Sequence, residues 1–183
     1  MELLRIEGAI ENRRDLSFSD LAALPGQVPD VAQLLPGREG GGVRLQSVLN
    51  VASPAETVRY ITLSSSDGKF SASVPLEAVR DAIIAYRLGD EPLPSKKGGP
   101  FRFLIPNVEE CAIGGVDACA NVKFLARIEL SQQPGADNRP TSKTTHEEHH
   151  TKEGHEHLER ANSERKRFVR FPLHPLGCVI LSA

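Results

Sequence analysis

Tryptophan is absent from this 183-residue chain, and tyrosine occurs only twice. Proteins that hold single-stranded bases stack them on such rings, so no stacking platform is expected. Positive charge is not in surplus either: 22 Lys and Arg against 24 Asp and Glu give a formal net charge of -2. A protein that grips phosphate backbones carries a basic face, and nucleic-acid binding is therefore not expected. Long apolar runs are missing. No stretch approaches the roughly 20 apolar residues that span a bilayer, so no membrane segment is expected. Met1 to Gly8 lack the basic region and apolar run of a secretory signal. Arg13-Arg14 is a twin arginine, but Asp15-Leu16-Ser17 follows it where an export signal needs an apolar run. The expected location is cytoplasmic. Cysteine is scarce: Cys111, Cys119 and Cys178 are an odd set at irregular spacing, which reads as reduced thiols rather than a disulfide framework. There is no Gly-x-Ser-x-Gly, no P-loop and no Gly-x-Gly-x-x-Gly, hence no legible nucleophile elbow or nucleotide cradle.

What is present begins with a short strand over residues 3–7. Ser17 or Ser19 can cap a short helix through Leu21 to Leu24, because a hydroxyl accepts from the open N–H groups of a first turn. Residues 28–42 read as loop, broken by Pro36-Gly37 and Gly40-Gly41-Gly42. Leu45, Val48 and Leu49 share a helical face, which predicts a short helix over 43–50. Residues 58–65 and 69–74 read as paired strands. Phe70, Ala72 and Val74 alternate with Ser71 and Ser73, and Asp67-Gly68 is a favoured hairpin turn whose two positions both tolerate positive φ. One helical turn is expected at 76–79. Residues 82–87 are apolar throughout and fit a helix or a strand. Strands are expected at 101–105 and 122–130.

Near Gln132 the composition changes, which places a domain at 1–132 and an extension at 133–183. Residues 141–167 are almost entirely polar, with Leu158 their only large aliphatic side chain. Such a segment cannot bury a core face. Residues 168–183 turn apolar again and could dock on the domain or on a protein partner. His146-Glu147-Glu148-His149-His150 matches His-Glu-x-x-His, but every neighbour is polar, so nothing would bury a catalytic zinc; weak surface metal binding is the alternative. The basic cluster Arg165-Lys166-Arg167 with Arg170 is offset by Glu159 and Glu164 and reads as a solvated face.

Several short stretches occur in one order: Asp20-Leu21 with Leu24-Pro25, Gly42-Val43-Arg44-Leu45 with Val48-Leu49, Ser66-Asp67-Gly68, Gly89-Asp90-Glu91-Pro92-Leu93-Pro94, Gly99-Pro100-Phe101-Arg102-Phe103-Leu104-Ile105-Pro106, and Asn121-Val122-Lys123 with Ile128-Glu129-Leu130. This series resembles the oxidoreductase molybdopterin-binding domain of sulfite oxidases and related reductases. The resemblance covers most of residues 1–132. It implies a compact α+β fold, with mixed β-sheets and short helices around a pocket for an anionic ligand. The implied cofactor is a molybdenum or tungsten pyranopterin with a terminal phosphate, which needs cations and N–H donors. By the same resemblance, Arg102 and Lys123 fall where the family places basic residues near that cofactor.

The departures weigh as much. The family ligates its metal with a cysteine thiolate upstream of the Gly-Val-Arg-Leu stretch, and residues 1–42 contain no cysteine. A soft thiolate suits a redox metal, and nothing in the 28–42 loop replaces it. The aromatic residue after the lysine, often Trp in the family, is Phe124. The long insertions and the dimerisation domain of full sulfite oxidases are missing. The expected function is a degenerate, non-catalytic or altered member, binding an anionic pterin-type ligand or a partner. One alternative is a molybdenum oxidoreductase that recruits Cys119 or Cys111 as metal ligand. The other is a structural or interaction module with an empty pocket and partner contacts made by the C-terminal extension.

Overall fold

A computed structural model of the chain describes residues 2–106, 108, 116 and 118–139. In chain order the elements are β1 (Leu4–Gly8), β2 (Arg14–Leu16), α1 (Phe18–Ala23), β3 (Gln27–Val28), β4 (Gly41–Arg44), α2 (Leu45–Ala52), β5 (Tyr60–Ser65), β6 (Ser71–Pro75), β7 (Ile83–Leu88), β8 (Glu91–Pro92), β9 (Arg102–Leu104) and β10 (Leu125–Ser131). Single 3-10 turns lie at Val31–Gln33, Leu76–Val79, Ser95–Lys97 and Ala118–Ala120. One sheet runs β2-β1-β10-β5-β6, the other β3-β4-β7-β8, with β9 also on β7. β1 lies parallel to β10, whereas β10 with β5 and β5 with β6 are antiparallel, so the first sheet is mixed. This is the α+β architecture with short helices that the sequence predicts.

Ser17, not Ser19, starts α1. Its hydroxyl accepts from Asp20 N at 3.2 Å, and the Asp20 carboxylate accepts from Ser17 N at 2.8 Å, so two open donors of the first turn are satisfied reciprocally. At the hairpin, only Gly68 takes positive φ, of 68°. Asp67 contributes through its side chain instead, accepting from Ser65 Oγ at 2.6 Å and Lys69 N at 3.0 Å.

The helix expected over 43–50 is corrected. Val43 and Arg44 belong to β4, and α2 starts at Leu45. The glycine run before it looks like a breaker, yet a Cβ at Gly42 would lie 2.6 Å from the Ile84 carbonyl oxygen. Glycine is what lets β4 close on β7. The apolar run expected at 82–87 resolves as strand β7, Ile83–Leu88. β7 is covered on both faces: Ile84 and Tyr86 enter the main core with Leu4, Ile6, Leu63 and Ile128, while Ile83 and Ala85 enter a second cluster with Val28, Val31, Leu93 and Leu104. A strand buried on both faces loses its alternation.

The unit runs past Gln132 to Arg139. Gly135 N donates to Ser73 Oγ at 2.8 Å, and Asn138 takes up the outer edge of β6 at Ser71 N and O, at 2.7 and 3.0 Å. These bonds are polar, which is why composition alone places the boundary earlier. The histidine segment, the basic cluster, the apolar tail, Cys111 and Cys178 lie outside the described residues. Among the described residues no helix is long and apolar enough to cross a membrane.

Candidate functional site

The second apolar cluster is not closed on every side. Ala85, Leu93 and Leu104 floor a cleft of about 210 Å³. Its rim comes from three places in the chain. Gly37, Arg38 and Glu39 belong to the loop before β4, Lys96 and Lys97 to the 3-10 turn Ser95–Lys97, and Arg102 to β9. The β7–β9 register pairs Ala85 with Arg102, so the guanidinium stem rises beside a floor residue. An apolar floor with a few convergent polar groups is the usual form of a small-molecule site.

Charge at the rim is strongly one-sided: Arg38, Lys96, Lys97 and Arg102 face a single carboxylate, Glu39. Lys97 Nζ donates to Glu39 Oε2 at 2.5 Å. Arg102 donates from one terminal nitrogen to the Lys97 carbonyl at 2.9 Å, while its Nε is buried with no hydrogen-bond partner among the described residues. Burial pushes the Arg102 pKa down from its ordinary value, and the neighbouring positive charge of Arg38 adds to the shift. An unsatisfied buried donor costs about 1–3 kcal/mol. A bound anion beside the guanidinium would offset that repulsion.

Of the two residues singled out in the sequence, Arg102 lines the cleft and Lys123 does not. Lys123 is exposed and stands behind Gly98, whose carbonyl accepts from Phe124 N at 2.8 Å. Sequence reasoning missed Arg38, Glu39, Lys96 and Lys97. Lys96-Lys97 could have been found, since it sits between two stretches that carry the family resemblance; Arg38 and Glu39 reach the cleft only through tertiary folding. Cys119, half-buried on the Ala118–Ala120 turn beside β6, is not a lining residue. Among the described residues no group of three or more His, Cys, Asp or Glu is placed to hold a metal.

The family model described as the oxidoreductase molybdopterin binding domain matches residues 39–139, a span that takes in Glu39, Lys96, Lys97, Arg102 and Lys123. The chain belongs to this family. It is 30% identical over 101 residues to a nitrate reductase (NADPH) of Fusarium oxysporum, covering 51% of this chain and 10% of that protein. It is 31% identical over 102 residues to the mitochondrial sulfite oxidase of Drosophila melanogaster, covering 50% of this chain and 16% of that one. The fold matches that of the sulfane dehydrogenase SoxCD from Paracoccus pantotrophus with a TM-score of 0.56 at 21% identity, over 78% of this chain and 41% of that chain. The molybdopterin-binding domain is thus shared, while the chain spans only a small part of the two curated relatives and less than half of the solved one.

Proposed function

We propose that the cleft holds the phosphate end of a pyranopterin-type ligand, and that this domain does so without a thiolate-held molybdenum. The observation that carries the reading is the Arg102 guanidinium, desolvated, beside Arg38, with its Nε unsatisfied. Four cations around an apolar floor suit a phosphate ester attached to a flat organic body. Arg102 would bind the phosphate, Lys96 and Arg38 would neutralise it, and Lys123 would supply a further charge from behind Gly98. The donor set therefore fits the phosphate end of molybdopterin. When bound, that cofactor supplies redox chemistry at its metal; this chain's part is to bind and orient it. Among the described residues Cys119 does not line the cleft, which weighs against its recruitment as a metal ligand there.

The test is to purify the full chain from a molybdopterin-competent host and quantify released pterin and molybdenum. The reading expects a phosphate-bearing pterin with molybdenum far below one equivalent. Molybdenum near one equivalent, lost on Cys119→Ser or Cys111→Ser, would establish the oxidoreductase reading instead.

A further inference from the structure

The single carboxylate at the rim sits on a segment with unusual mechanics. Glycines bracket Arg38-Glu39. Gly37 has φ of 81° and open space where a Cβ would lie, whereas Gly40 has φ of 105° and a Cβ there would fall 2.4 Å from the Arg87 carbonyl oxygen. The Gly40 carbonyl also accepts from Val31 N at 2.8 Å. The backbone is thus held on both sides, at Gly40 and by the Arg38 N–H, which donates to the Leu35 carbonyl at 3.0 Å, and it is the exposed Glu39 side chain that can swing away from Lys97. Glu39 is exposed on its side-chain surface by 63% and Lys97 by 39%. An ion pair this open contributes at most about 1 kcal/mol, so it can be broken by a competing anion.

We propose that Glu39 is an internal counter-ion that sets the affinity of the cleft. It occupies Lys97, and a phosphate-bearing ligand binds by displacing it. The inference rests on the anion-binding reading of the same cleft. Its mechanical content is separate: Glu39 acts through Lys97, not merely as a nearby negative charge. With Glu39 in place, Lys97 contributes little to binding, because it exchanges one anionic partner for another. Without Glu39, Lys97 becomes a full ligand-binding cation.

The test is titration calorimetry of the full chain with inorganic pyrophosphate at low salt. Four proteins are compared: wild type, Glu39→Gln, Lys97→Met and the double variant. All these side chains face solvent, and thermal melts confirm that each protein folds. The proposal expects Glu39→Gln to tighten binding by about three- to tenfold, equivalent to the loss of an exposed ion pair plus a like charge. In the Lys97→Met background the same substitution should change affinity less than about twofold. An equal gain in both backgrounds would overturn the proposal, since Glu39 would then act by its field alone. No gain in either background would overturn it too, while leaving the anion cleft intact. Binding by none of the four would overturn the anion cleft itself and this inference with it.

Discussion

Arg102 and Lys123 meet at Gly98: a Cβ on that glycine would lie 3.0 Å from Lys123 Cγ and 3.3 Å from Arg102 Cδ. The two basic residues picked out by family resemblance are thus joined by one backbone position, although only Arg102 enters the cleft. Gly98 also has φ of 86°, which an L side chain adopts at a cost of about 1–2 kcal/mol. Gly98→Ala is expected to lower the melting temperature by that equivalent and to weaken pyrophosphate binding several-fold by pushing both side chains aside. A variant that melts lower but binds unchanged would separate Gly98 from the site.

Arg38→Gln should have effects of opposite sign on stability and binding. Arg38 disfavours the charged form of Arg102, so removing it should stabilise the ligand-free protein slightly, by about 0.5 kcal/mol or less for an exposed residue. The same change should weaken pyrophosphate binding about fivefold, the scale of one partly screened charge. Chemical denaturation and calorimetry read the two. Loss of both stability and affinity would mean that Arg38 has a structural role.

Phe124 is held at φ of 53° and the residue is 39% exposed. Phe124 N donates to the Gly98 carbonyl and Phe124 O accepts from Ser66 N at 2.8 Å, and these bonds impose the conformation. Phe124→Gly and Phe124→Ala remove the same ring, but only glycine accepts the left-handed backbone freely. The glycine variant is expected to be more stable than the alanine variant by about 1 kcal/mol. Equal melting temperatures would show that the backbone relaxes.

Asp67 predicts a specific acid sensitivity. The Ser65 hydroxyl, then the Lys69 N–H, hold its pKa below the ordinary 3.8. A carboxyl with a depressed folded pKa contributes stability that is present above its unfolded value and lost as pH falls through the folded one. Asp67→Asn should therefore lower stability at neutral pH, by a difference that shrinks as pH falls below 3.8. A constant difference from pH 7 to pH 2 would contradict this.

The sequence was legible where one residue face is wet and the other dry. Ser71, Ser73 and their apolar neighbours announce the β5–β6 hairpin, and Ser17 announces α1. It was ambiguous at Ile83–Leu88, where both faces are buried and periodicity vanishes. It misled at Gly41–Arg44, where glycines that read as a loop serve close strand approach. Of the five charged residues that line the cleft, the sequence yielded one, Arg102, through the family resemblance. Arg102 stands in a recognisable stretch with Lys97 only five residues before it, but Arg38 and Glu39 reach the cleft from a distant part of the chain, and no local pattern encodes that meeting.

Arg102 is the proposed anchor of the anion-binding cleft. Its most direct test is pyrophosphate affinity of the full chain with Arg102→Ala and Arg102→Lys against wild type, by titration calorimetry. Removing a charged donor that is otherwise unsatisfied should weaken binding tenfold or more, since such a bond contributes about 1.5–3 kcal/mol. Lysine should recover part of the loss, because it restores the charge but not the planar fork. Unchanged affinity in the alanine variant, with the fold intact, would contradict the account.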